Sequence, residues 1–139
     1  MLRSIDEEVR RRAGHACEYC RLPQFTYALQ FPIDHVIARQ HGGQTVLANL
    51  ALSCIRCNSY KGPNIAGLDP LTGKMTRLFH PRRDRWSRHF DWDGPVLVGR
   101  SAVGRATIQL LQINHPNAIV VRAELINEGL FPPPPARMR

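Results

Sequence analysis

Two CxxC pairs, Cys17/Cys20 and Cys54/Cys57, constrain this chain more than any other feature. A CxxC turn aims two thiolates at one point, and two such turns complete a tetrahedral zinc site. The pairs use all four cysteines and stand 33 residues apart. That gap exceeds what a minimal zinc ribbon needs, so the chain between the knuckles must carry something else. The competing reading of a CxxC is a redox pair. It calls for a βαβ context that the sequence lacks, and it leaves the second motif without a role. A structural Zn²⁺ on Cys17, Cys20, Cys54 and Cys57 is therefore expected. With 43% hydrophobic residues the chain can build only a modest core, which a metal staple would supplement.

The stretch from residue 34 to 61, DHVIARQHGGQTVLANLALSCIRCNSYK, holds a second chemical device. Asp34, His35, Asn49 and Asn58 are the residue types of an open site for a hard metal and a base. Cleaving a phosphodiester needs a base for water, a divalent ion for the phosphate and the leaving oxygen, and a group that orients the base. Imidazole titrates near neutral pH, so His35 is the expected base. Asp34 and Asn58 offer oxygen ligands for Mg²⁺ or Mn²⁺. Asn49 is expected to orient His35 or its loop. Taken singly, these residues have bland readings: an Asp-His surface pair, or an Asn that caps a helix. It is their order, interleaved with the cysteines, that points to catalysis. On a regular strand Asp34 and His35 would face opposite ways. His41 reads as a loop hydrogen-bonder, and His15, His80, His89 and His115 as non-catalytic.

Local signals place these residues on elements. Ser4 and Glu7 form a capping-box pattern for a helix over 4–13. Asp34 and His35 fall in a strand running to about residue 38, and Gly42-Gly43 breaks the chain into a loop. A helix starts near Cys54, carries Asn58 and Lys61, and stops at Gly62-Pro63. Residues 62–74 read as loop, and MTRLFH and PVLV as short strands. A helix is predicted over 101–113, with Val103, Ala106, Leu110, Leu111 and Ile113 inward. A second one follows Pro116, capped by Asn114, with Ile119, Val120, Ala123 and Ile126 inward and Gly129 at its end. The tail FPPPPARMR reads as extended or disordered. The fold class is α+β. The expected units are 1–74 as a core, 75–131 as an extension packed on it, and 132–139 as a tail.

Charge narrows the partner. Nineteen Lys and Arg against 11 Asp and Glu give +8, and 17 of the 19 are Arg, whose planar fork suits phosphate oxygens. Lys61, Arg82 and Arg83 are the expected nucleic-acid contacts; for Lys61 a favourable helix end is an equal alternative. Trp86, Phe90 and Trp92 read as core. No apolar run approaches the roughly 18 residues of a membrane span, and MLRSIDEEVRRR lacks the apolar core of a signal peptide. The expectation is a soluble, cytoplasmic protein that does not engage a membrane.

The order CxxC…Asp34-His35…Gly42-Gly43…Asn49-Leu50…CxxC-Asn58…Lys61-Gly62 resembles the HNH endonucleases, the ββα-metal or His-Me finger nucleases, in their zinc-knuckle branch. The resemblance covers residues 14–62. It implies a hairpin and a helix that clasp one divalent ion against the scissile phosphate, with His35 as general base, Asp34 and Asn58 on the ion, and Asn49 orienting the base or the loop that carries it. Here the motif's third letter is Asn58 rather than His, and an amide oxygen suits Mg²⁺ or Mn²⁺. The implied activity is hydrolysis of DNA to leave a 5′ phosphate, with RNA as the alternative substrate. One site nicks one strand, so a double-strand break calls for a homodimer, a larger complex or two visits. The alternative reading is a zinc-stabilised nucleic-acid-binding module without activity.

Overall fold

The computed structural model describes residues 3–134; residues 1, 2 and 135–139, including most of the tail, lie outside the described residues. Helix α1 (Ile5–Arg12) begins as its sequence requires: the Ser4 hydroxyl accepts from the Glu7 amide, and the Glu7 carboxylate accepts from the Ser4 amide. Its terminal arginines turn inward or pair locally. Arg12 is buried and donates to the carbonyls of Leu47 and Leu50, Arg10 donates to Phe31 O, and Arg11 pairs with Glu8.

Strand β1 (Ile33–His35) pairs antiparallel with β2 (Leu50–Leu52), with Asp34 opposite Ala51 and His35 opposite Leu50. β2 runs directly into helix α2 (Ile55–Lys61), which Cys54 caps. This is the expected ββα unit, although β1 stops at His35 rather than near residue 38. The first cysteine knuckle is stitched to β2 from the other side: the Glu18 amide donates to Leu52 O, and the Glu18 carboxylate accepts from the Leu52 amide.

After α2 come two further hairpins, β3 (Ala66–Leu68) with β4 (Met75–Arg77), and β5 (Phe90–Asp93) with β6 (Val96–Gly99). A helical turn, α3 (Trp86–His89), precedes β5, and the chain ends in α4 (Ala102–Leu110) and α5 (Pro116–Asn127). The strand β3 lies where loop was expected. Its sequence, AGL, has little strand propensity of its own. Gly67 lies against α4, where an added Cβ would stand 3.3 Å from the Leu110 Cβ, so tertiary contact makes this strand.

One core joins the two halves of the chain. Val9, Tyr19, Phe31, Leu50, Leu52 and the four cysteines are continuous with Leu78, Phe79, Phe90, Leu97, Leu111 and Ile113. Trp86 lies against Phe90 and Trp92, with ring centroids 5.1 and 5.8 Å apart, so the aromatic segment is core as expected. Helix α5 does not present the expected face. Val120 is 63% exposed and Ile126 37%, while Arg122 and Leu125 are buried. The inward position goes to Arg122 because its guanidinium is satisfied there, by Pro95 O at 2.7 Å, by Asn114 Oδ1 at 3.1 Å and by the face of Trp92. Asn114 is likewise not the cap of α5. Its amide bonds both the N–H and the C=O of Leu97, and His115 caps instead. Among the described residues no helix is long and apolar enough to cross a membrane.

Candidate functional site

The four cysteines converge. All are buried, and their sulfurs lie within 4.8 Å of one another, with Cys20 Sγ and Cys54 Sγ 3.7 Å apart. Four thiolates about 2.3 Å from a tetrahedral zinc would stand roughly 3.8 Å apart, so the cluster fits that ion. The backbone is shaped for it too: the amides of Cys20 and Cys57 point at Cys17 Sγ and Cys54 Sγ, which steadies the negative sulfurs. Burial opposes ionisation of Cys17, but hydrogen bonds from the other three thiols bring it well below its ordinary value. Hydrogen bonding to Cys17, Cys20 and Cys54 holds Cys57 well above its own. Four buried thiols packed this closely oppose one another's ionisation, and a dication relieves that conflict.

Asp34 and His35 face opposite ways on β1, as strand geometry dictates. Asp34 points inward and is 6% exposed. Its Oδ2 accepts from the Tyr19 hydroxyl at 2.8 Å and meets Lys61 Nζ at 3.1 Å, while Oδ1 meets the same ammonium at 3.3 Å. Lys61 also donates to the carbonyls of His35 and Val36. The expected phosphate contact for Lys61 is therefore corrected. At 1% exposed, it fastens the end of α2 to β1 from inside. Burial holds the Asp34 carboxyl above its ordinary value, although Lys61 and Tyr19 pull it down.

Replacing Lys61 with Met should cost about 3–5 kcal/mol, because it leaves Asp34 buried without its cation. The variant's Asp34 would hold its proton to still higher pH in the folded state, whereas the unfolded chain releases it near the usual carboxylate value. The folded variant then binds more protons than the unfolded, and its deficit against wild type grows as pH rises. Denaturant melts at pH 5 and pH 8 would show this. Equal deficits at the two pH values would contradict it.

His35 is half-buried on the other face, and its Nε2 lies 2.8 Å from Thr45 Oγ1. Asn49 does not act on the ring. Its Oδ1 accepts from the Ile37 amide at 2.9 Å, and its Nδ2 donates to the carbonyls of Ile37 and Gln44, each at 3.0 Å. One buried side-chain amide thus clips both ends of the loop that follows His35. Gly43 must be glycine for the clip to close, since a Cβ there would sit 1.6 Å from Ile37 O and 2.8 Å from Asn49 Nδ2. Asn58 lies half-buried on α2, and no described residue hydrogen-bonds its side-chain amide.

Of the expected phosphate contacts in the extension, Arg82 is corrected. It forms a buried ion pair with Glu18, inside the first knuckle. Arg83, Arg85 and Arg88 are exposed. Sequence reasoning gave no role to Glu18, Tyr19 or Thr45. The available signals were the position of the first two between Cys17 and Cys20, and a hydroxyl two residues beyond Gly43.

Residues 17–64 match a family model described as HNH endonuclease. The chain is 24% identical over 149 residues to the Septu protein PtuA of Bacillus mycoides (strain KBAB4), an alignment that covers 89% of this chain. It spans about a fifth of that relative's length (21%). No solved structure matches.

Proposed function

We propose, from the HNH endonuclease domain at residues 17–64, that this chain is a metal-dependent DNA endonuclease whose elementary event is a single-strand nick. The observation that carries the reading is His35. It stands on the outward face of the ββα unit, one ring nitrogen is engaged by Thr45, and no described residue hydrogen-bonds the other. An imidazole held this way can take a proton from a water aimed at a phosphate. Asn49 keeps the loop beside it in one shape.

Asp34 and Asn58 are of the donor types that a hard divalent ion takes. Asp34 Oδ1 meets Lys61 alone, at 3.3 Å, so it keeps a lone pair, and the Asn58 amide oxygen is uncommitted among the described residues. Mg²⁺ and Mn²⁺ suit one carboxylate and an amide oxygen, completed by water and phosphate. When bound, such an ion stabilises charge on the phosphate and on the leaving 3′ oxygen, and a 5′ phosphate remains. Arg83, with Arg85 and Arg88 nearby in sequence, supplies exposed cations for the backbone of the bound strand.

The second reading is a zinc-stabilised binding module, which the burial of Asp34 beside Lys61 favours. Supercoiled plasmid separates the two. The nuclease reading expects conversion to open circles with Mg²⁺ or Mn²⁺ and none with EDTA. Retention of DNA without nicking under either ion would favour the module.

A further inference from the structure

We propose that Thr45 is a positioning residue for His35: its hydroxyl accepts a hydrogen bond from Nε2–H and so fixes the tautomer whose lone pair sits on Nδ1. The contact is 2.8 Å, well within hydrogen-bond range. A hydroxyl can accept or donate, so contact alone does not choose the tautomer. Two considerations do. A base must keep one lone pair open, and Nδ1 is the nitrogen with no hydrogen-bond partner among the described residues. When Nδ1 takes a proton, the ring becomes a donor at both nitrogens. A hydroxyl already accepting from Nε2–H keeps its bond through that change, whereas one donating to Nε2 would have to turn over.

The surroundings deliver Thr45 to this position. It directly follows Gln44, whose carbonyl is held by Asn49 Nδ2, and the same amide holds Ile37, two residues beyond His35. Asn49 therefore acts on the base through Thr45 rather than by touching it. Thr45 itself is exposed, so its hydroxyl hydrogen can turn to water while the oxygen accepts from the ring.

The inference deepens the nuclease reading and rests on it for the choice of tautomer and for the effect on rate; the tautomer itself can be measured without it. Zinc-loaded full-length protein labelled with nitrogen-15 gives ring correlations for each histidine, and the His35 set is assigned by its loss in His35→Ala. Wild type should show Nε2–H with an unprotonated Nδ1, and Thr45→Val should show a mixture of tautomers. Loss of one hydrogen bond of this kind should slow plasmid nicking about tenfold in Thr45→Val, and Thr45→Ser should restore it. The ring result stands whether or not plasmid is cut, so failure of the nuclease reading would be seen separately. An Nδ1–H ring in wild type, unchanged ring signals in Thr45→Val, or an altered ring with an unaltered nicking rate would each overturn the proposal.

Discussion

Replacing His35 with Ala is expected to slow metal-dependent nicking by about 10²–10⁴-fold, the usual share of a general base, while leaving the fold and zinc content unchanged. The side chain is half-buried and its one hydrogen bond among the described residues is to Thr45 at the surface, so little packing is lost with it. What is lost, on the proposed reading, is the proton acceptor. Lys61 holds the backbone carbonyl of residue 35, and that contact survives truncation of the ring. The measurement is plasmid nicking at matched zinc content, with melting curves as the control. Equal nicking by wild type and variant would remove His35 from the role of base.

The larger effect on stability should come from the cysteine cluster. A structural zinc contributes about 10–16 kcal/mol of apparent binding energy in small zinc domains, as much as or more than the roughly 5–15 kcal/mol that separates a folded domain from its unfolded chain. Stripping the metal with a strong chelator should therefore unfold at least the part of the chain built on the knuckles. Cys54→Ala should be among the most damaging single changes. Cys54 brings a ligand to the cluster, and its sulfur also caps α2 by accepting from the Cys57 amide. Metal analysis should find about one zinc per chain in the wild type. A Cys54→Ala protein that is folded and free of zinc would refute the structural role.

The sequence disclosed those features whose cause is local. A capping box, a CxxC turn, a Gly-Gly break and a cysteine cap are each decided within a few residues, and α1, the two knuckles and the ββα unit follow from them. Features decided at a distance were hidden. Strand β3 exists because Gly67 meets Leu110, 43 positions along the chain. The inner face of α5 is set by partners for Arg122 on Pro95 and Trp92, so the apolar stripe at Val120 and Ile126 pointed the wrong way. The same holds in the site. That Asp34 and His35 face opposite ways was legible from strand geometry. That Lys61 would lie inside as the partner of Asp34, and that Arg82 would seek Glu18, was not, because a cation near a nuclease motif reads first as a phosphate contact. Both belong to buried pairs across 27 and 64 residues of sequence.

The first knuckle spans only four residues, yet it faces three ways. Cys17 and Cys20 turn to the sulfur cluster, Tyr19 sends its hydroxyl to Asp34 and its carbonyl to the indole of Trp86, and Glu18 takes the guanidinium of Arg82. Residues beyond the family match, Arg82 and Trp86, therefore complete the partners of this knuckle. A segment limited to residues 17–64 would lose the Arg82 cation from Glu18 and the Phe79 ring from Tyr19. Grafting the site onto another scaffold would therefore mean rewriting residues 18 and 19 along with it.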